Sequence, residues 1–110
     1  VFWPGFKDHP SHEIAKKQMK DFGGMLSFTT KGNKYKDAVK ILENLKIFTL
    51  AESLGGVESL CGHPASMSHG SIPKEEREKV GIIDSLMRLS VGIESNKDLI
   101  KDLESALKLI

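Results

Sequence analysis

The sequence predicts an α+β fold, a small, mostly antiparallel or mixed sheet with helices on one face. Two segments place apolar residues at helical spacing, and two more carry helix start or stop signals. Four short segments have strand character, either by alternation or by content of β-branched and aromatic residues. The predicted order is helix, strand, helix, strand, strand, helix, strand, helix, which fits an α+β architecture.

Composition indicates one globular domain, residues 1–110. The apolar fraction of 39% and the charged fraction of 28% are ordinary for a soluble protein. A net charge of +1 gives no indication of a nucleic-acid or membrane partner. The single cysteine, Cys61, excludes an internal disulfide framework and fits a reducing compartment, so we expect a cytoplasmic protein.

The first two predicted elements are a helix and a strand. The chain begins with VFWPGF, without an initiator Met and in what reads as an extended segment, so we expect a piece of a longer protein. In SHEIAKKQM, Ser11 follows Pro10 and is a candidate N-cap for a short helix. In FGGMLSFTT, alternate residues from Phe22 to Phe28 share one side, which predicts a strand.

The middle of the chain predicts a helix and two strands. YKDAVKILENL places apolar residues at helical spacing between Ala38 and Leu45. The next segment, KIFTLA, is rich in β-branched and aromatic residues and predicts a strand that ends at Glu52 and Ser53. VESLCGHP predicts a second short strand.

The C-terminal part predicts a helix, a strand and a helix. Pro73 begins the charged segment PKEEREKV, and Gly81 ends it. In SLMRLSVGIE the residues alternate, since Met87, Leu89, Val91 and Ile93 face one way and Arg88, Ser90, Gly92 and Glu94 the other. Ser95 with Asp98 resembles a capping box, and an apolar stripe from Leu99 to Ile110 predicts the last helix.

Arg88 is the most informative single residue. It is one of two arginines among sixteen basic residues, and it lies within an apolar strand, on the polar side with Ser90. A guanidinium is a planar fork that binds a carboxylate bidentately, which an ammonium does not do. A structural ion pair with a Glu or Asp and a solvated charge on an edge strand remain open as alternatives. The other arginine, Arg77, is explained by solvation of the charged helix.

The remaining reactive residue types match no chemical motif. The four histidines and Cys61 lack zinc-finger and zinc-ribbon spacing, so we interpret the histidines as turn and cap residues and predict no metal. Ser53, Ser68 and Ser90 lack a G-x-S-x-G elbow, and neither Gly-Gly pair has the lysine of a phosphate loop. From the residues alone, the function reaches no further than carboxylate binding.

Three stretches together carry a family resemblance: FTLAESLGGVESL, HPASMSHGSIPKEER and GIIDSLMRLSVGIE. They resemble the C-terminal domain of the pyridoxal 5′-phosphate (PLP) enzymes of cysteine and methionine metabolism. WPG, HPSHEIAKKQM and FGGMLSF extend the likeness over essentially the whole chain. The resemblance implies the small domain of a fold-type I PLP enzyme, a small amino-acid substrate such as cystathionine or an acylated homoserine, and a homotetramer.

The resemblance assigns substrate-binding roles to four residues. The arginine of the family's R-[LI]-S-x-G-[LI]-E strand binds the substrate α-carboxylate and falls on Arg88. The serine of the A-x-S-L-G motif, Ser53, helps to hold that carboxylate, largely through its backbone. Ser68 replaces the threonine of a Met-Thr-His motif, which implies a minor hydrogen-bonding role. Glu52 stands where relatives that act on cystathionine by γ-chemistry often have Glu.

The resemblance implies a transsulfuration enzyme, with the cystathionine γ-lyase reaction favoured by Glu52. A carboxylate at the pocket mouth would attract the distal ammonium of cystathionine and disfavour an apolar methionine tail. A solvated Glu at a strand end is the structural alternative. Cystathionine γ-synthase is the alternative enzyme, followed by methionine γ-lyase and cystathionine β-lyase, and a free-standing α+β binding module is the non-enzyme alternative.

No catalytic or cofactor-binding residue is predicted within residues 1–110. In this family the Schiff-base lysine, the aspartate on the pyridinium nitrogen and the phosphate-binding groups belong to a larger upstream domain. We therefore expect these residues alone to be inactive. Their implied role is to clamp the substrate carboxylate, so that the correct Cα bond stands over the cofactor plane.

Overall fold

The computed structural model describes residues 1–110, and its eight elements follow the predicted order. The helices are α1 (His12–Gln18), α2 (Tyr35–Asn44), α3 (Lys74–Lys79) and α4 (Asn96–Leu107). The strands are β1 (Met25–Phe28), β2 (Thr49–Leu50), β3 (Leu60–Gly62) and β4 (Met87–Ser90). No helix is long and apolar enough to cross a membrane.

The strands form one mixed sheet in the order β1-β4-β3-β2, which confirms the predicted fold class. Strand β4 is antiparallel to both neighbours, and β2 is parallel to β3. Arg88 is opposite Ser27 of β1 and Gly62 of β3. Arg88 therefore lies on an inner strand, which argues against the reading of a solvated charge on an edge strand.

The core lies between the sheet and the helices α2 and α4. Alternate residues of β4, Met87 and Leu89, are buried against Ile41 of α2 and Leu99 of α4. Each such side chain contributes about 1.5–3 kcal/mol through burial. Because strand side chains alternate between faces, Arg88 and Ser90 lie on the side of β4 away from this core.

The alternation predicted for β4 ends earlier than expected. Val91 still packs against the core, but the side chain of Ile93 is 81% exposed, so its predicted inward position is wrong. The strand ends at Ser90, and the chain then bends at Ile93 and Glu94. Ser11 and Ser95 are the N-cap residues of α1 and α4, as predicted, but without the expected side-chain bonds. Neither Ser11 nor Ser95 makes a side-chain cap hydrogen bond, and Ser11 instead donates its backbone N–H to Nδ1 of His9.

The end of α3 is fixed by Gly81 and Arg77. Gly81 has a φ of 86°, its N–H bonds to the Glu78 carbonyl, and the N–H of Ile82 bonds to the Arg77 carbonyl, which is a Schellman motif. The predicted role of Gly81 is confirmed. The prediction that Arg77 is merely solvated is wrong, because its side chain is buried, donates to the Ile82 carbonyl at 2.8 Å and pairs with Asp84.

A buried carboxylate connects α4 to the turn before β2. Asp102, 7% exposed, accepts the backbone N–H groups of Lys46, Ile47 and Phe48 at 2.8, 2.8 and 3.1 Å. Three such bonds satisfy donors that β2 leaves unpaired at its start. Asp102 thereby fixes where β2 begins, and β2 leads directly to the segment with Glu52 and Ser53.

Candidate functional site

The guanidinium of Arg88 extends across β3 toward the end of β2. Its Nη2 donates to the backbone carbonyl of Glu52 at 3.0 Å and lies 3.5 Å from that of Ser53. The Arg88 side chain can pass over β3 because residue 62 is a glycine. A Cβ there would lie 3.2 Å from the Ala51 carbonyl and 3.9 Å from Nη2 of Arg88.

Arg88 has no acidic partner. The three ion pairs of the structure involve Lys74, Arg77 and their carboxylates, and none includes Arg88. Its hydrogen bonds all come from Nη2 and go to backbone carbonyls. The structural ion pair left open by the sequence is therefore absent, and no carboxylate of the chain neutralises the half-buried guanidinium.

Three of the four predicted site residues line one small hollow beside this guanidinium. They are Glu52, Ser68 and Arg88, and the other lining residues are Ala51, Gly62, His63, Pro64 and Met67. Its volume of about 10 Å³ is roughly that needed for one water. The fourth residue, Ser53, does not line the hollow but approaches Arg88 through its carbonyl.

The carboxylate of Glu52 is exposed beside the hollow and is not paired with Arg88. Only the backbone of Glu52 contacts the guanidinium. The hydroxyl of Ser68 lies 2.8 Å from Nδ1 of His69 and is exposed. The site thus offers one cation at its centre, with a carboxylate and a hydroxyl nearby.

His63 forms a rigid wall of the hollow, which the sequence did not reveal. It is 2% exposed, and its Nε2 donates to the Asp84 carbonyl at 2.7 Å, because a carbonyl oxygen only accepts. Nδ1 lies 2.7 Å from the hydroxyl of Ser66. His63 is therefore more than a turn residue, whereas His9 does act at a turn. No three His, Cys, Asp or Glu side chains lie close enough together to hold a metal ion.

The thiol of Cys61 is not a nucleophile in this site. Burial raises the pKa of Cys61 to about 12, partly opposed by the positive charge of Arg88. A thiol with such a pKa stays protonated at neutral pH and is unreactive. The arrangement can bind and orient an anion, but it contains no activated nucleophile.

The mixed sheet thus presents an arginine without an acidic partner beside a small hollow. Comparison with known proteins shows the family of the chain. The model of the family described as Cys/Met metabolism PLP-dependent enzyme matches residues 1–108. The chain belongs to this family.

Individual relatives cover the chain almost completely. It is 61% identical over 109 residues to a cystathionine beta-lyase of Lactococcus lactis subsp. cremoris (strain MG1363), which is 98% of the chain and 28% of that protein. It is 55% identical over 107 residues to a cystathionine gamma-lyase of Dictyostelium discoideum, 97% of the chain and 27% of that protein. A crystal structure of cystathionine gamma synthase from Xanthomonas oryzae pv. oryzae in complex with cystathionine matches with a TM-score of 0.87 and 49% identity. The match covers 96% of this chain and 27% of the synthase chain.

These relatives confirm the family resemblance but do not select one reaction. The three proteins carry the names of three different activities at similar identity. The chain spans little more than a quarter of the length of each. Family membership implies PLP as the cofactor of the family's enzymes.

Neither the lysines nor the Gly55–Gly56 pair has the surroundings expected of a PLP site. Every lysine is exposed, so none lies in a buried pocket of the kind that holds a Schiff-base lysine. Neither Gly55 nor Gly56 has another group within 4 Å of the Cβ position, so this glycine pair is not a packed phosphate cradle.

Proposed function

We propose that residues 1–110 are the C-terminal domain of a PLP-dependent transsulfuration enzyme and that Arg88 binds the α-carboxylate of its amino-acid substrate. The observation that carries this proposal is the half-buried guanidinium without an acidic partner. A guanidinium that is partly withdrawn from water and has no acidic partner suits a ligand of opposite charge. The substrate carboxylate would supply that charge.

The two carbonyls at Nη2 orient the fork of Arg88. With Nη2 held by Glu52 and Ser53, the other guanidinium N–H groups are left for the substrate. A bidentate pair fixes direction as well as distance. Ser53 would add its backbone N–H, and the hydroxyl of Ser68 a weaker bond. The domain thus contributes orientation, while the cofactor held elsewhere supplies the carbanion chemistry.

Within the family, we propose the γ-lyase reaction, in which cystathionine gives cysteine, 2-oxobutyrate and ammonia. The exposed carboxylate of Glu52 beside the hollow supports this choice, because it would attract the distal ammonium of cystathionine. Cystathionine γ-synthase is the alternative, then methionine γ-lyase. Cystathionine β-lyase is a further alternative, and a relative of that name is 61% identical to the chain. Membership of an enzyme family argues against a free-standing binding module.

We also propose a cytoplasmic homotetramer for the complete protein. The free, buried thiol of Cys61 suits a reducing compartment. Large apolar side chains such as Ile93 and Ile100 are 81% and 57% exposed, which supports their burial against other parts of the enzyme. Analytical ultracentrifugation of the complete protein would test the tetramer.

The deciding experiment incubates the complete, PLP-loaded protein with L-cystathionine alone. Cysteine, 2-oxobutyrate and ammonia would establish the γ-lyase. Homocysteine and pyruvate would establish the β-lyase and remove the specificity role of Glu52. Turnover only with an acylated homoserine and cysteine would establish the synthase.

The carboxylate role is tested by Arg88→Lys in the same enzyme. We expect kcat/KM to fall about 10- to 100-fold, because an ammonium cannot keep both charge-assisted bonds of the fork, each worth about 1.5–3 kcal/mol. The matched control is Arg77→Lys, which should lower the thermal midpoint but leave KM unchanged. An unchanged KM in Arg88→Lys would remove the role.

A further inference from the structure

The segment Glu52–Ser59, here called the substrate loop, joins β2 to β3 and carries two of the proposed substrate-binding residues. Glu52 to Glu58 are all exposed, and the segment belongs to no helix or strand. Such a loop has no internal means of keeping its backbone in place. The N–H of Thr49 in β2 donates to the Ser59 carbonyl at 3.0 Å, and the other hydrogen bonds of the loop to distant residues are made with one stretch of chain, Arg88–Glu94.

Ser90 holds the middle of the substrate loop. Its Oγ accepts the backbone N–H of Gly55 at 2.8 Å, and Ser90 itself is 3% exposed. This bond lies beside the Arg88 contacts to Glu52 and Ser53. Ser90, which the alternation places on the polar side of β4 with Arg88, is therefore buried and not solvated.

Glu94 holds the end of the substrate loop. Its two carboxylate oxygens accept the backbone N–H of Ser59 at 2.8 Å and the hydroxyl of Ser59 at 2.7 Å. The same hydroxyl accepts the N–H of Gly92 at 2.8 Å, and Ser59 is fully buried. The two bonds from Ser59 lower the pKa of Glu94, so its carboxylate is ionised at neutral pH.

The backbone of the loop also lies directly against Gly92. A Cβ at this glycine would lie 2.2 Å from the carbonyl oxygen of Val57, so no other residue fits without displacing the loop. The neighbouring N–H of Ile93 donates to the same carbonyl at 2.9 Å. Four alternate residues, Arg88, Ser90, Gly92 and Glu94, thus contact the loop in succession.

We propose that Ser90 and Glu94 are positioning residues for substrate binding. Neither touches the hollow. They hold the substrate loop so that the backbone of Ser53 and the carboxylate of Glu52 stand at a fixed distance from the Arg88 guanidinium. This inference rests on the proposed function, in which Arg88 and Ser53 bind the carboxylate.

The test uses Ser90→Ala and Glu94→Ala in the complete, PLP-loaded enzyme. Each removes one attachment of the loop, and we expect KM for the amino-acid substrate to rise about tenfold with kcat within about threefold, since the loss affects ground state and transition state alike. Amide hydrogen exchange in residues 52–59 should become faster. Glu94→Gln, which keeps one acceptor oxygen, should give an intermediate KM.

The matched control is Glu58→Ala, which removes a carboxylate of the same loop that is exposed and has no side-chain partner in the structure. It should leave KM and amide exchange unchanged. A lower thermal midpoint in Ser90→Ala and Glu94→Gln with unchanged KM would overturn the inference and leave a structural role only.

Arg88→Lys, measured alongside, separates the two hypotheses. A raised KM in Arg88→Lys together with unchanged KM in the Ser90 and Glu94 variants refutes the positioning role and retains the carboxylate site. An unchanged KM in Arg88→Lys overturns the proposed function and this inference with it. Should Glu94→Ala fail to fold, Ser90→Ala and Glu94→Gln decide.

Discussion

The absence of a side chain at Gly62 should be as important for substrate binding as the presence of Arg88. Gly62 is the cross-strand neighbour of Arg88, and the guanidinium lies over it on the way to the Glu52 carbonyl. An alanine Cβ would be 3.2 Å from the Ala51 carbonyl and 3.9 Å from Nη2 of Arg88. The first distance requires a shift of the carbonyl by a few tenths of an ångström, and the second is an ordinary contact.

Valine at the same position exceeds the space. Its two γ carbons extend about 1.5 Å beyond Cβ, whereas the gap to the guanidinium is already at contact distance. The fork would be displaced from its carbonyl partners and would lose one charge-assisted bond to the substrate, about 1.5–3 kcal/mol. We therefore expect kcat/KM to fall about 10- to 100-fold in Gly62→Val and less than about threefold in Gly62→Ala.

Steady-state rates of the complete, PLP-loaded enzyme with L-cystathionine provide the assay. Gly56→Val is the matched control, because no group lies within 4 Å of a Cβ at Gly56. If Gly62 acts through Arg88, the double variant Gly62→Val/Arg88→Lys should be scarcely worse than either single variant. Fully additive losses, or unchanged kinetics in Gly62→Val, would refute the reasoning.

Two further predictions concern stability. Asp102→Ala leaves three backbone N–H groups without their acceptor and should destabilise the turn before β2 by about 3 kcal/mol. Amide exchange at residues 46–48 should then be roughly 100-fold faster. Asp98→Ala, at an exposed position of the same helix, is the control. The pKa of Asp84 is lowered by hydrogen bonds from Lys74 and Arg77, so its contribution to stability is present above the unfolded pKa of about 3.9 and is lost as the pH falls through the folded value. The difference in thermal midpoint between the native protein and Asp84→Asn should therefore be full at pH 7 and vanish in acid; a pH-independent difference would contradict this.

The type and order of every element could be predicted because their signals are local. The apolar stripe of α2, with Ala38 and Ile41 buried, is visible as a spacing of apolar residues within a few positions of the chain. The Schellman motif at Gly81 likewise involves only neighbouring residues. The strand predicted from KIFTLA shows the limit. Its β-branched and aromatic residues suggest a longer strand, but β2 is only Thr49–Leu50, because the preceding N–H groups bond to Asp102.

Contacts between distant parts of the chain could not be predicted from one sequence. Asp102 lies more than fifty positions from its partners, and Glu94 lies 35 from Ser59. In the sequence both are ordinary acidic residues, Asp102 within the last helix and Glu94 after the last strand. Arg88 could be singled out only because an arginine is rare in this chain. The proposed roles of Glu52, Ser53 and Ser68 depended on the family resemblance.

The alternation of a single strand explains why the core and the site are coupled. Met87 and Leu89 of β4 are buried against α2 and α4. The residues on the opposite side contact the substrate loop: Arg88, Ser90 and, past the end of the strand, Glu94. Because side chains in a strand repeat every two residues, a shift of register by one position would exchange the two sets. The tight packing of Met87 and Leu89 therefore sets the register of β4. In doing so, it fixes the height of the Arg88 guanidinium above Gly62 and the reach of Ser90 and Glu94 to the loop.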